Sequence, residues 1–459
     1  MRYGRMSFIV MLALAVCGVE FPTADVSAAS VDVSAAAAAS NERPAVNAKA
    51  LVGLGTLAFC WHHDIWTVRN GKVHDLGPGF RPVLSSSGRY VAYIKGIKSS
   101  SGTLWVARTD GSGQRFAPLG STPVAATGYT WVSGTDELVA ARSNWAGGSQ
   151  GHAAPSAKTS PPRVGSLWAI RASTGEKSTI VSNARIASVA VGSGLVAYSV
   201  VHPMPSKYPG NATDVLYVAH LRPHSFPKPL LSTLDSGIQL AGIAGNHILY
   251  WVDPQHSASI AADGMVLYSV RTTGGRPKPL TTTLGYPSWL SFSSSDTLYA
   301  VAGGMRIVWA GKTLRRYSLA TGKSNMIAGN ATNVALDPAA DPATGRMAFV
   351  RAANLGVKMW GFPSSAPLEQ WVASRTLWVT KPGGVTPQPI AAAEHGVYHP
   401  VWTANPNVIL YAKASGLWLV NLSTGHTVEV VSGILGSSEN DLFGFYGHRF
   451  MADEYSWVQ

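Results

Sequence analysis

Hydrophobic residues recur along this chain in a short block that ends in Leu-Trp or an equivalent pair, followed by a turn and a second apolar run. The copies lie roughly 40 to 60 residues apart, a spacing typical of arrays in which each repeat is one small sheet. The pattern therefore predicts an all-β protein, a single β-propeller with four antiparallel strands in each blade. The copies are Ile65-Trp66, Leu104-Trp105, Leu167-Trp168, Leu216-Tyr217, Leu267-Tyr268, Leu314 to Tyr317, Leu377-Trp378 and Leu417-Trp418.

Each repeat is interpreted as four strands, A to D, and the Leu-Trp pair belongs to strand C. Strand B is a run of β-branched and aromatic residues such as 90–94, the composition of a strand buried on both faces. Strand A often carries a proline near its start, as at 287–289 and 400–402, where the missing N–H costs no ladder hydrogen bond. Strands C and D form a hairpin with glycine in its turn, because tight hairpin turns need positive φ.

This layout resembles the TolB-like propeller repeat, also called WD40-like or PD40. The Pro-x-Trp of that family's strand A is matched by 287–289 and 400–402, and its Leu-Trp-Val with an Asp-Gly turn by 104–106 and 110–111. The Ser-Pro-Asp-Gly end of the family's strand A is degraded here, for example at 85–88. The resemblance spans about residues 55 to 433. It implies a propeller fold and leaves the activity open, because propellers host many unrelated functions.

The repeats contain eight sets of strands B, C and D but seven clear A strands between them. Residues 441–446 have the composition of the missing A strand, which would pair with the first B strand near 56–61. Such pairing closes the ring and removes exposed sheet edges. We therefore favour eight blades closed by a C-terminal strand, with seven blades as the alternative, and expect a monomeric ring.

The N-terminus predicts export. Arg2 and Arg5 precede an apolar stretch at 8–19, and small residues allow cleavage after Ala28, so residues 1–28 are interpreted as a signal peptide. Cys17 lies in a lipobox-like context, which makes a lipid anchor the alternative to secretion. Residues 29–50 are predicted to be a disordered Ala/Ser-rich spacer and residues 51–459 the propeller domain.

Composition adds few constraints. The net charge is +12, but lysines and arginines are scattered without interleaved aromatics, so we do not expect nucleic-acid binding. After the signal, no segment is apolar over about 18 residues, so no transmembrane helix is expected. Removing the signal leaves Cys60 as the only cysteine, in an apolar run, where it is interpreted as a buried small hydrophobe that forms no internal disulfide.

The repeat lengths vary mainly between strands B and C, at 144–164, 201–214, 253–263 and 353–374. Inserts confined to one face of a repeat array usually mark its binding face, although they can also be tolerated surface insertions. Aromatic side chains on these inserts either contact a partner or fold back to cap the blades. The candidate binding residues on this face are Trp145, His202, Tyr208, His256, Trp360, Phe362 and Trp371.

Catalytic signatures are weak. Gly147 to Gly151 fits Gly-x-Ser-x-Gly but lies in a Gly/Ser/Ala/Pro loop and lacks the strand and helix that this motif needs. His62-His63-Asp64 is the densest metal-like cluster, and its adjacent histidines would point to opposite faces of a strand. We therefore expect no catalytic residues, metal or cofactor, and predict an exported, non-catalytic binding module for a protein or cell-envelope polymer.

A propeller enzyme with a central-channel site is the alternative. The turns at 173–177 and 320–323 look like part of the repeat in eight-bladed quinoprotein propellers, although the tryptophan that should follow is replaced by Ile180 and Ile327. A quinoprotein dehydrogenase-like or lactonase-like enzyme would need polar side chains converging from the starts of the A strands, which are mostly Pro, Ser, Ala and aromatics.

Overall fold

The computed structural model describes residues 43–96, 102–113, 115–120, 128–142, 164–203, 212–221, 226–234, 236–254, 263–356, 365–382, 386–434, 446–449, 451 and 454–459. The predicted signal peptide with Cys17, spacer residues 29–42 and the Gly147 to Gly151 motif lie outside the described residues. Residues 45–47, within the segment predicted to be spacer, lie against the last repeat. The N–H of Asn47 donates to the carbonyl of Val430 at 2.8 Å, and the N–H of Ser432 donates to that of Ala45 at 3.2 Å.

Most described residues belong to short antiparallel strands, which we group into units numbered in chain order. Unit 1 contains β1 (Thr56–Trp61), β2 (Asp64–Arg69) and β3 (Lys72–Pro78). Unit 2 contains β4 (Phe80–Leu84), β5 (Tyr90–Lys95), β6 (Thr103–Arg108) and β7 (Arg115–Phe116). Unit 3 contains β8 (Tyr129–Trp131), β9 (Glu137–Arg142), β10 (Gly165–Arg171) and β11 (Lys177–Ala184). Unit 4 contains β12 (Ile186–Gly192), β13 (Leu195–Pro203), β14 (Ala212–His220) and β15 (Lys228–Leu234).

The second half of the chain follows the same order. Unit 5 contains β16 (Ser236–Ala244), β17 (His247–Pro254), β18 (Met265–Arg271) and β19 (Lys278–Thr283). Unit 6 contains β20 (Leu290–Phe292), β21 (Thr297–Ala302), β22 (Thr313–Ser318) and β23 (Ser324–Ala328). Unit 7 contains β24 (Asn333–Ala340), β25 (Met347–Ala353), helix α1 (Ser365–Ala373), β26 (Thr376–Thr380) and β27 (Pro387–Pro389). Unit 8 contains β28 (Tyr398–Trp402), β29 (Val408–Lys413), β30 (Gly416–Asn421) and β31 (Thr427–Ser432).

The strand order within the units confirms the prediction of four-stranded antiparallel sheets, and the described fold is of the propeller type. Units 4 and 5 are joined into one larger sheet by a parallel contact between Thr213 and Ser236. None of the described helices is long and apolar enough to cross a bilayer, and α1 has nine residues.

The A strand of unit 1 comes from the end of the chain, but from a different segment than the sequence indicated. Strand β32 (Tyr455–Val458) is antiparallel to β1, with Thr56 opposite Val458 and Phe59 opposite Tyr455. The prediction of this strand at 441–446 is therefore wrong. Both segments are rich in aromatic residues, and only their hydrogen-bond partners distinguish them.

Serine side chains join the A strands of neighbouring units. In each case a backbone N–H on one A strand donates to a serine Oγ on the A strand of the preceding unit. Because a backbone donor left without a partner between packed sheets is costly, each contact fixes the height of one sheet against the next. The three pairs are Leu84 to Ser456 at 3.0 Å, Leu240 to Ser188 at 2.8 Å and Ala340 to Ser291 at 2.8 Å.

Tryptophans on the A strands make a second set of contacts between units. Trp131 donates its Nε1–H to the carbonyl of Val83 at 2.7 Å, across the boundary of units 3 and 2. Trp402 does the same to Ala339 at 2.9 Å, and Trp457 to the backbone carbonyl of Trp402 at 3.0 Å. Trp131 and Trp402 thus combine a large buried ring with a directional hydrogen bond, and Trp457 adds the same bond from a half-buried ring.

The two residues of the Leu-Trp pair in strand C lie in different environments, the leucine in the core and the tryptophan near the surface. The leucines are at most 1% exposed at Leu104, Leu167, Leu377 and Leu417, whereas the tryptophans beside them are half-buried. A cation near the end of strand B lies over three of these rings, at 4.1 to 5.1 Å from the ring centre. The three pairs are Lys95 over Trp105, Arg351 over Trp378 and Lys413 over Trp418.

Replacing Trp402 by Phe should weaken the protein more than the same change at Trp418. Trp402→Phe leaves the Ala339 carbonyl without its donor between two units, which we expect to lower the free energy of unfolding by about 1–3 kcal/mol. Trp418 donates to Ser415 within its own hairpin at the surface, so Trp418→Phe should cost below about 0.5 kcal/mol. Urea unfolding of both variants measures the difference, and equal losses would contradict the role given to the A-strand ring.

Candidate functional site

Two of the predicted binding residues are among the described residues. His202 is exposed near the end of β13, opposite Thr213. Trp371, on α1, is only 1% exposed. The other five lie outside the described residues, so the structure does not bring the predicted set together: Trp145, Tyr208, His256, Trp360 and Phe362.

Trp371 belongs to the core and is not a contact residue at the surface. Its Nε1–H donates to the carbonyl of Ala353 at 2.9 Å, and its ring packs edge-on against Trp309, with ring centres 6.4 Å apart. Helix α1 turns this ring inward, which corresponds to the alternative that insert aromatics cap the blades. Proline-rich flanks made the segment look like an exposed loop, and the short helix was not recognised.

Three A strands share a backbone feature that sequence reasoning missed. Arg81, Asp337 and His399 each precede a proline and have positive φ, at 54°, 49° and 41°. Each lies where the register with strand B breaks. A residue before proline normally adopts extended φ, so these positions are held against their preference, a feature that concentrates at functional sites. The recurrent hydrophobic-X-Pro-Val/Ala motif was the available signal, but the prolines had been interpreted only as strand starts.

The bulge at Asp337 places a carboxylate between units 7 and 8. Oδ2 accepts a hydrogen bond from Nη2 of Arg375 at 2.6 Å and another from the backbone N–H of His399 at 3.3 Å. Arg375 is 2% exposed, donates from Nε to the carbonyl of Val397 at 2.9 Å and lies 4.0 Å over the ring of Tyr398. Removing either member would leave a buried charge without its counter-ion, so this pair fixes the backbone of His399.

The bulge at His399 brings its imidazole to Tyr455 of β32. The Tyr455 hydroxyl donates to the backbone carbonyl of His399 at 2.9 Å and lies 3.0 Å from Nδ1 of the same residue. A phenol has one proton to give, so we assign the proton of the second contact to Nδ1. Nε2 then carries a lone pair. Burial lowers the pKa of His399 and opposes the effect of the nearby Asp337 carboxylate, so the ring is neutral at neutral pH.

His448 lies beside this group in a nearly closed aromatic environment. It is 4% exposed, stacks on Tyr286 with ring centres 4.0 Å apart and meets Trp289 edge-on at 5.6 Å. Burial lowers the pKa of His448 to about 3, and the charge of Arg375 acts in the same direction. The side chain is therefore a neutral aromatic element of the site over the whole physiological range.

Residues around His448 are held by close backbone contacts. The carbonyl of Tyr446 accepts from the N–H of Val308 at 3.1 Å. Gly447 has φ 89°, and a Cβ placed there would lie 2.5 Å from Cγ2 of Val308, so no other residue fits. The carbonyl of Glu454 accepts from the N–H of Cys60 at 2.8 Å, just before β32 begins.

Lys312 shapes the connection between strands B and C of unit 6, which carries Val308 and Trp309. Its side chain is buried, and Nζ donates to the carbonyls of Gly304, Met305 and Ala310 at 2.7, 2.9 and 3.2 Å. Three acceptors match the three donors of an ammonium group, while burial lowers the pKa of Lys312 to about 7. The connection is thus folded around one lysine and presents apolar side chains to the site.

Other reactive groups are less accessible. Ser269 Oγ lies 3.0 Å from Nδ1 of His247, but both residues are at most 5% exposed. His62 and His63 form the turn between β1 and β2, with φ of 49° and 67°. Within the described ranges, no three His, Cys, Asp or Glu side chains are grouped as a metal site would require. The His399 group is therefore the candidate site, with a neutral base, a phenol and a buried ion pair.

No protein-family model matches the chain, and no curated protein does. Similar solved structures include a prolyl endopeptidase, at 11% identity and a TM-score of 0.46, with 76% of this chain and 49% of the other covered. Pyrococcus horikoshii acylaminoacyl peptidase is similar at 11% identity and a TM-score of 0.42, with 78% of this chain and 53% of the other covered. The β-propeller domain of the Trilobed protease from Pyrococcus furiosus is another, at 10% identity and a TM-score of 0.40, with 71% of this chain and 88% of the other covered. The chain spans about half the length of the first two structures.

These comparisons overturn the prediction of a non-catalytic binding module. The similar structures are those of peptidases, and one of them is the β-propeller domain of a protease. Identities of 10–12% assign no role to any residue of this chain. The chemical role of the site is therefore inferred from the geometry around His399.

Acidification should destabilise the protein through His448. Its pKa is about 6.5 when unfolded and about 3 when folded, so its contribution is complete above pH 6.5 and is lost as pH falls towards 3. In that window the free energy of unfolding of the wild type should fall, relative to His448→Gln, by about 1.4 kcal/mol per pH unit. Urea unfolding at pH 7, 6 and 5 measures it, with His426→Gln at an exposed turn as the control. Parallel curves for wild type and His448→Gln would contradict the assignment.

Proposed function

We propose that this chain is a propeller-containing hydrolase in which His399 is the general base that activates water. The observation that carries the proposal is the double contact of the Tyr455 hydroxyl with His399. That contact orients the imidazole and selects the tautomer whose Nε2 can accept a proton. A catalytic base needs this combination of a fixed ring and a free lone pair.

The surroundings of His399 support a base that works at neutral pH. The lowered pKa keeps the ring unprotonated, and the side chain is partly exposed while Asp337 and Arg375 are buried. The Asp337 carboxylate holds the backbone N–H of His399 at 3.3 Å, so the ring has support at its backbone and at Nδ1. The uncommon φ at His399 is consistent with a site that has been kept at a conformational cost.

Esters and peptides are the substrates to test first, because both are cleaved when an activated water attacks a carbonyl carbon. Purified protein is assayed with p-nitrophenyl acetate and with peptidyl p-nitroanilides. His399→Gln should lower kcat/KM at least about a hundredfold, the usual contribution of a general base. Tyr455→Phe keeps the aromatic ring at position 455 but removes the hydroxyl that orients the imidazole of His399. A smaller loss of kcat/KM, about tenfold, is therefore expected. His426→Gln is the matched control.

The pH profile separates catalysis from folding. Because the base must be neutral and burial lowers the pKa of His399, the acidic fall of kcat/KM should have its midpoint below about pH 6.5, the ordinary value of a histidine. The urea unfolding midpoint of each variant is measured alongside. A wild-type rate that does not exceed the buffer rate, or His399→Gln activity equal to wild type with both proteins folded, would refute the proposal.

We also propose that the units form a closed ring of eight blades, related to the TolB-like repeat. This is supported by the antiparallel pairing of β32 with β1 and by the hydrogen bonds of Trp457 to Trp402 and of Leu84 to Ser456. These contacts link unit 1 to units 8 and 2. The buried Trp289 and Trp402 occupy the Pro-x-Trp positions of the repeat.

Removing residues 455–459 tests the ring. The truncated protein should lose the ladder partner of β1, unfold at a lower temperature and associate through the exposed edge. A variant that lacks only Gln459 is the control. An unchanged melting temperature and a monodisperse truncated protein in light scattering would count against closure by β32.

A further inference from the structure

A groove of about 460 Å³ lies between units 3 and 4, away from the residues assigned to hydrolysis. One wall comes from β11 and from Val164, just before β10, and the other from β13 and β14. Its size falls in the range of small-molecule sites, which are mostly apolar with a few placed polar groups. His202, predicted from the sequence as a binding residue, lines this groove.

The interior of the groove is apolar and contains an aromatic surface. Val181, Ala184 and Val200 line it, together with the stacked pair Tyr198 and Tyr217, whose ring centres are 5.4 Å apart at an angle of 15°. A similar tyrosine stack, Tyr250 on Tyr268 at 5.6 Å, exists in unit 5. The same tyrosine stack therefore recurs in two neighbouring units.

A break in the pairing of β10 and β11 forms one edge of the groove. Gly165 pairs with Ala184 and Leu167 with Val181, so two residues of β11 face one of β10. Asn183 lies in this bulge with φ 55° and is exposed. Bulges redirect side chains and are frequent beside binding sites. Here the bulge turns Asn183 to the edge of the groove and precedes Arg185.

Arg185 is the charged residue that lines the groove. His202 also lines it, and no Asp or Glu is among the lining residues. The carbonyl of Arg185 accepts a hydrogen bond from the N–H of Val201 at 2.9 Å, which fixes its backbone beside the wall formed by β13. No described carboxylate forms an ion pair with the Arg185 guanidinium, which is partly exposed. A guanidinium next to an apolar groove selects a planar anion such as a carboxylate.

We propose that this groove binds an aromatic monocarboxylate, with its ring between the valine wall and the tyrosine stack and its carboxylate on Arg185. The apolar interior favours the flat hydrocarbon body, and the guanidinium supplies two parallel donors for the carboxylate. Asn183 and His202 add polar contacts at the edge. The site is independent of hydrolysis at His399 and is tested by binding alone.

The probes are 2-naphthoate and its uncharged analogue 2-naphthamide, titrated into the full chain by isothermal calorimetry at pH 7.5. The wild type should bind naphthoate at a single saturable site, at least tenfold tighter than naphthamide. Arg185→Gln should weaken naphthoate at least tenfold and leave naphthamide unchanged. Arg276→Gln, on an exposed turn of unit 5, is the matched control and should bind like wild type.

A second variant keeps the test decisive if Arg185→Gln perturbs the surface. Ala184→Trp places an indole in the groove and should abolish binding of both probes, while the unfolding midpoints of all variants are compared with wild type. The proposal is overturned if the wild type shows no saturable naphthoate binding up to millimolar concentration. It is equally overturned if a folded Arg185→Gln binds naphthoate as tightly as Arg276→Gln, or if a folded Ala184→Trp still binds it.

Discussion

The ladder between β1 and β32 is the contact on which the arrangement of this molecule depends. It pairs Thr56 with Val458 and Phe59 with Tyr455, and gives unit 1 the A strand that other units obtain from the adjacent chain. Without it β1 would have an unpaired edge, and unpaired edges invite association with other chains. The ladder also positions Tyr455, whose hydroxyl makes both contacts with His399. Sheet completion and the candidate site therefore share one side chain.

The polar group around His399 is stable because each buried charge has a fixed partner. Asp337 pairs with Arg375, and Arg375 also satisfies a backbone carbonyl and lies over an aromatic ring. The neighbouring His448 is neutral, because burial lowers its pKa, and its ring stacks on Tyr286. A buried polar network costs least when every member is satisfied or neutral. This arrangement allows a polar group to lie next to a tryptophan-rich core.

The strands were predictable because each leaves a local signature in the sequence. The leucine of strand C is buried in the same way in different repeats, as at Leu104 and Leu377. The β-branched runs of strand B strongly favour a buried strand. The closing strand was misplaced because 441–446 and Tyr455–Val458 have similar local composition. Trp371 was assigned to the surface because nothing local shows that a nine-residue helix turns it inward. The site was missed because Asp337, Arg375, His399 and Tyr455 meet only after the units pack, and only the X-Pro motif marks two of them.

The separation of β1 and β32 along the chain also governs when the molecule can be completed. They lie about 400 residues apart, so at roughly 5–20 residues per second β32 leaves the ribosome about 20–80 s after β1. During that interval β1 must wait with an unpaired edge while later units assemble beside it. The contact that selects the His399 tautomer forms only with this pairing, so a nascent chain has most of its sheets well before the imidazole of His399 is oriented.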